Sequence, residues 1–150
     1  MRTLVIIPVL FFSMLLGATS YSADFNKGLT AAQNGDFATA LKEWKPLAEK
    51  GDIDAQYNLV LMYRRGDGVS QDYKEAVRWC TLAAKQGYAN AQFTLGFMYD
   101  NGEGVPQDYK EAYIWWSLAT VGGHKKAKEF LEPMEAKLSP AQLVDAQERS

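Results

Sequence analysis

Apolar residues in this chain recur at helical spacing in short runs, each stopped by glycine, and the runs come in pairs. Ala91, Leu95, Met98 and Tyr99 share one face of a helix over residues 88–100, which ends at the Asp-Asn-Gly-Glu-Gly stretch of residues 100–104. A second run, carrying Tyr109, Ala112, Trp115, Leu118 and Ala119, closes at Gly122 and Gly123. The same two runs stand earlier in the chain, the second of them as Tyr73, Ala76, Trp79, Leu82 and Ala83, closing at Gly87. Gly66 and Gly68, matched by Gly102 and Gly104, accept positive φ where a helix is closed off. Asp72 and Asp108 stand where the second helices begin and suit the positive end of the helix dipole, and Pro106 lies just ahead, where it does least harm.

Sliding the chain by 36 residues lays residues 55–90 on residues 91–126 without a gap, with 18 of 36 positions identical. A fixed period of this size marks stacked helical units, because one unit cannot bury its apolar face until a neighbour covers it. Residues 36–55 align at the same offset, with Ala40 on Ala76 and Gly51 on Gly87, so a degenerate pair occupies residues 24–54. Its link is shorter: Ala31 to Phe37 spans six positions, where Tyr63 to Tyr73 and Tyr99 to Tyr109 span ten. Beyond the second copy, a further first-type helix is expected over residues 125–137, with Ala127 and Leu131 at the positions of Ala91 and Leu95. Glu132 and Glu135 replace Gly96 and Tyr99 there, as befits a terminus facing water. Ser139, Pro140 and Gln142 then predict a capped last helix running to about residue 148. The expected fold is all-α: an α/α superhelical repeat, a solenoid of antiparallel helix pairs. It forms one domain over residues 24–150, divided into 24–54, 55–90, 91–126 and a terminal helix with its cap over 127–150.

The pattern AQxxLGxMYxxGxGVxQDYxEAxxWxxLAxxxG over residues 91–123 resembles the Sel-like repeat family, a long-loop relative of the tetratricopeptide repeat. Two near-complete copies and their degenerate flanks cover almost the whole chain beyond the leader, and the short-linked first pair is more similar to a tetratricopeptide unit. Val60, where the second copy has Gly96, is a departure from the pattern. The resemblance implies an antiparallel helix array curved into a superhelix, with the first helices lining its concave side and serving as a scaffold for other proteins. A cysteine-rich branch of the family, with one disulfide per repeat, is linked to penicillin binding or weak β-lactamase activity. Here Cys80 is the sole cysteine and its place in the next copy is taken by Trp116, so that link loses its support.

The leader changes the picture of where the protein acts. Residues 1–23 combine Arg2, an apolar run from Leu4 to Leu16 and a tail of small residues, the pattern of a cleaved secretory signal. The run falls short of the about 20 residues that a spanning helix needs, and Pro8 interrupts it. A periplasmic protein with no stable membrane anchor is expected, with release from the cell as the alternative. A formal charge of −2, or −3 once Arg2 is removed, gives no electrostatic reason to bind nucleic acid. Without an internal disulfide the fold must stand on packing, for which an aromatic content of 13% is ample.

Catalytic chemistry has few candidates. His124 is the single histidine, set in a Gly-Gly-His-Lys-Lys turn and expected in solvent at a helix start, and no Ser, His and Asp set or cysteine cluster is available. Asp67, Asp72, Glu103 and Asp108 each have a local role in a turn or helix start, and residues 100–103 lack the spacing of a calcium loop. Cys80, beside Trp79, reads as a small buried residue, and Trp44, Trp79, Trp115 and Trp116 read as core. No cofactor or metal is expected. A non-catalytic scaffold is the leading expectation; a cell-wall or β-lactam-processing enzyme, or a secreted factor acting on another cell, is the alternative.

One pattern remains. Phe93 and Phe97 lie four apart, off the core face of their helix; Tyr57 and Leu61 take the same places one copy earlier, and Phe25 and Leu29 in the first pair. Either a partner covers this second apolar stripe, or neighbouring helices on two sides do. The resemblance implies that these positions look into the concave groove, with Arg64, Arg65, Asp100 and Asn101 near its edge. The expected protein-binding set is therefore Tyr57, Leu61, Phe93 and Phe97 as apolar contacts, with Arg64, Arg65, Asp100 and Asn101 as polar ones.

Overall fold

Aspartates start most of the helices. In the computed structural model, which describes residues 23–150, the side chains of Asp24, Asp36, Asp52, Asp72 and Asp108 accept hydrogen bonds from backbone N–H groups of the first turn. The cap is direct as well as electrostatic: Asp72 accepts from the N–H of Lys74 at 2.9 Å and of Glu75 at 3.1 Å, and Asp108 repeats both bonds. Each such cap stabilises its helix by about 1 kcal/mol. The helices are α1 (Phe25–Gln33), α2 (Phe37–Glu49), α3 (Ile53–Arg65), α4 (Tyr73–Lys85), α5 (Ala89–Asn101) and α6 (Tyr109–Val121). The expected leader, residues 1–23, lies outside the described residues except for Ala23.

The long links do more than turn the chain. Gly66 and Gly102 close α3 and α5 in the left-handed conformation, and Gln71 and Gln107 donate side-chain N–H groups back to the carbonyls of Arg64 and Asp100 at 2.8 and 2.6 Å. Each link then crosses onto the start of the preceding second helix. Gly68 (φ 70°) lies so close to Phe37 that an added Cβ would stand 2.6 Å from the Phe37 Cβ, and Gly104 (φ 73°) lies equally close to the Tyr73 backbone. Both the positive φ and the close approach require glycine. The link of each pair thereby ties it to the pair before.

Helices pack in chain order, each against the next, as an antiparallel series. Trp44, Trp79, Cys80 and Trp116 are buried along the second helices, with Ala55, Leu59, Ala91, Leu95 and Met98 facing them. Two tryptophans sit on glycine: a Cβ on Gly28 or Gly96 would run into the indole of Trp44 or Trp116. Their indole N–H groups donate to the carbonyls of Phe25 at 3.2 Å and Phe93 at 3.1 Å. In the middle pair the corresponding positions are Val60 and Cys80, both fully buried. The departure at Val60 is thus matched by a smaller partner on the second helix. Burial pushes the Cys80 thiol up to about 12, and its Sγ lies 3.2 Å from the Ala91 carbonyl, so it behaves as a core residue.

The C-terminal quarter departs from the expected helix over residues 125–137. It is a 3-10 turn, Ala127–Phe130, followed by the short α7 (Leu131–Glu135). Pro133 falls in the first turn of α7, where its missing N–H and its ring do least harm, although Pro46 shows that α2 holds a proline past its first turn. Glu132 is exposed as expected, whereas Glu135 is half-buried and accepts the Tyr113 hydroxyl at 3.1 Å. The last helix, α8 (Pro140–Arg149), has the expected reciprocal Ser139–Gln142 cap. It lies along α6, with Ala146 buried and Asp145 and Arg149 bonded to Lys110 and Glu111.

Candidate functional site

The second apolar stripe on α1, α3 and α5 meets three different surroundings. At the C-terminal end Phe93 and Phe97 stand edge to face, 4.9 Å apart, and Phe130 of the 3-10 turn covers both, at 5.5 and 4.9 Å. Phe130 also contacts the Trp116 ring at 5.0 Å, and His124 stacks on Phe93 at 3.8 Å. His124 is therefore not the solvated helix start that its turn suggested. Burial, helped by Lys126, holds its imidazole below the usual range.

In the middle, α5 covers Tyr57: the rings of Tyr57 and Tyr88 meet edge to face at 5.2 Å, and the Tyr57 hydroxyl pairs with the Thr94 hydroxyl at 3.2 Å. The polar edge is bridged here too. Arg64 bonds Glu103 at 3.0 Å, Asn101 contacts Glu103 at 3.4 Å, and Asp100 bonds Lys137 of the C-terminal segment at 3.1 Å. Partly exposed pairs of this kind contribute about 0–1 kcal/mol each, so they orient the edge more than they stabilise it.

The N-terminal end differs. Between α1 and α3 lies an open pocket of about 320 Å³ with an apolar floor of Leu29, Trp44, Leu61 and Met62 and a polar rim that includes Asn58 and Arg65. Leu29 is 39% exposed, one of few large apolar side chains so open in the described residues. Arg65 is exposed and has no side-chain partner among the described residues. A larger depression of about 550 Å³ lies between the end of α2 and α4, but its central amides, Gln56 and Gln86, are bonded to each other at 2.9 Å.

Of the eight residues the sequence pointed to, the structure brings Leu61 and Arg65 together at the open pocket. It places Tyr57, Phe93 and Phe97 in contacts between elements, and Arg64, Asp100 and Asn101 in polar bridges along one edge. Phe130, Asn58 and Trp44 were not anticipated in these roles. The signal for Phe130 was present: it stands 36 residues beyond Thr94, on the stripe's partner position. Among the described residues no group of His, Cys, Asp and Glu is arranged to hold a metal ion, and no helix is long and apolar enough to cross a membrane.

An antiparallel series of helix pairs, with long glycine-closed links and a first-helix face that stays open at one end, defines an α/α repeat protein. The Sel1 repeat family matches residues 53–88 and 89–124, and the chain belongs to the Sel-like repeat proteins. It is similar to the crystal structure of a protective antigen present in uropathogenic Escherichia coli strains, described as displaying an SLR fold. The identity is 32% and the TM-score 0.78, over 83% of this chain and 28% of that one. It is also similar to a Sel1 repeat protein from Oxalobacter formigenes, with 28% identity and a TM-score of 0.68, over 72% of this chain and 44% of that one. The chain thus spans less than half the length of either neighbour. No curated protein matches it.

Proposed function

We propose that the protein is an exported, non-catalytic scaffold that holds a protein or peptide partner in the concave groove of its first helices, at the end formed by α1 and α3. The observation that carries this reading is the pocket between those helices, where an apolar floor and an arginine with no side-chain partner among the described residues lie side by side while the rest of the stripe is covered. Leu61 and Arg65 make the direct contacts; Tyr57, Phe93 and Phe97 hold the groove's shape, and Arg64, Asp100 and Asn101 form its edge. Sel1 repeats are characteristically protein-interaction units, which supports the class of job. The sealed Cys80 and the stacked His124 support a binding role over an enzymatic one. Export to the periplasm rests on the leader pattern and is supported by the antigen among its structural neighbours. With few repeats the groove is short, so a single monomeric partner is expected to bind with modest affinity.

A photo-crosslinking amino acid placed at Arg65, and in a control at the exposed Lys45 of α2, tests this in living cells. The expected result is one discrete adduct from position 65, recovered in the periplasmic fraction and missing from position 45. Equal labelling from both positions, or none from either, would overturn the groove assignment.

A further inference from the structure

The two ends of the first-helix face are related by the repeat, and two of the differences between them open one end: the residue over the rings and the acid at the edge. At the C-terminal end the surface made by Phe93, Phe97 and Trp116 is covered by Phe130, and the acid Asp100 pairs with Lys137. Shifting by the repeat offsets brings these to the N-terminal end. Phe25 and Trp44 keep the places of Phe93 and Trp116, Leu29 takes that of Phe97, Asn58 stands where Phe130 stands, Ala32 replaces Asp100 and Arg65 replaces Lys137. The lining of the pocket between α1 and α3 includes Leu29, Ala32, Trp44, Asn58 and Arg65, together with Phe37 and Asp67, which is not paired with Arg65. It is open where Asn58 stands in the place of Phe130, and Arg65 has no side-chain partner among the described residues, with alanine in the place of Asp100.

We infer that this pocket is a socket for a phenylalanine side chain of an acidic partner segment, which supplies from outside the aromatic ring and the carboxylate that the C-terminal end supplies for itself. The inference rests on the groove reading above and goes further by naming the chemistry of the occupant. A ring entering between Leu29 and Trp44 meets the kind of surface that Phe130 meets on Phe97 and Trp116. An acidic side chain beside it meets the exposed guanidinium of Arg65, whose planar fork can hold a carboxylate by two parallel bonds. The middle of the face offers no such site, since Tyr57 and Thr94 close it and Arg64 already has Glu103.

The test uses the purified protein and a fluorescein-labelled probe peptide with one phenylalanine followed by two glutamates, flanked by glycine and serine. Two companion peptides replace the phenylalanine by alanine or the glutamates by glutamine. Fluorescence anisotropy should show saturable binding of the probe and a loss of about tenfold or more for each companion, as expected when a buried anchor or its paired charge is removed. Asn58→Phe and Ala32→Asp rebuild at this end what the chain already has at the other. Both should fold with an unchanged or raised thermal midpoint and bind the probe about tenfold more weakly or worse. Amide shift changes in the unaltered protein should fall on α1 and α3, a readout that does not depend on any variant folding. Equal binding of the alanine companion, full binding by Asn58→Phe, or no binding at all would overturn the socket. If shifts appear on the first-helix face but away from the pocket, the socket fails and the groove reading survives. If no first-helix amide responds and the crosslinker at position 65 also captures nothing, both fall.

Discussion

Three positions along the stack carry the same structural problem with two solutions. Trp44 and Trp116 need glycine opposite them, at Gly28 and Gly96, while the middle pair uses Val60 with Cys80. In the sequence, Val60 and Cys80 stand as two unrelated departures from the repeat, because contact across a helix pair is invisible to a periodicity. Space-filling makes them one. Gly96→Val alone forces the Trp116 indole off its seat and is expected to cost about 1–3 kcal/mol. Trp116→Cys alone leaves a cavity, at about 3–5 kcal/mol. The double change recreates the middle pair, so denaturant melts should give less than the summed loss, by roughly 1–3 kcal/mol of coupling. Strict additivity would separate the two sites. His124 ties stability to pH. Its folded form is held neutral below the ordinary value of 6.5, so the unfolded chain takes up the proton first. The stability this confers is complete above 6.5 and is lost as pH falls through that value toward the lower folded one. Thermal midpoints between about pH 7.5 and about pH 5.5 should therefore fall further in the native protein than in His124→Phe, which keeps the stack on Phe93.

The paired helices were legible because their caps, glycines and apolar faces act locally. The segment after Lys126 was not, because alignment on Ala127 and Leu131 carried a helix across Pro133. The chain instead breaks into a 3-10 turn and the short α7, with Pro133 in the first turn of α7, and that turn delivers Phe130 onto Phe93, Phe97 and Trp116. For the same reason the stripe could be seen in the sequence but its surroundings could not: whether Phe93 meets a partner or the chain itself depends on an element whose path is set by tertiary contact. Leu61 and Arg65 stand at an open pocket because the element beside them is α1, with the short Leu29 and Ala32. Phe130→Ala is expected to lower stability by about 3 kcal/mol and to speed amide exchange in α7 and α8 before the rest. Exchange that rises evenly along the whole chain would mean that the turn does not hold this end in place.

At the scale of the molecule, the series is asymmetric. One end is closed by its own chain, through Phe130, α7 and α8, and through the pairs Lys110–Asp145 and Arg149–Glu111. The other, among the described residues, keeps a pocket with an apolar floor and the unpaired Arg65 on the same face. A repeat array without a large core per unit gains its stability from neighbours, so an end left open is an end where a further neighbour fits. Docking of the partner against α1 and α3, as proposed above, can be read from hydrogen exchange of the protein alone and with the partner captured at position 65. New protection should concentrate in α1 and α3, with α6 and α8 unchanged. Protection centred on α6 and α8, with α1 and α3 exchanging as before, would contradict it.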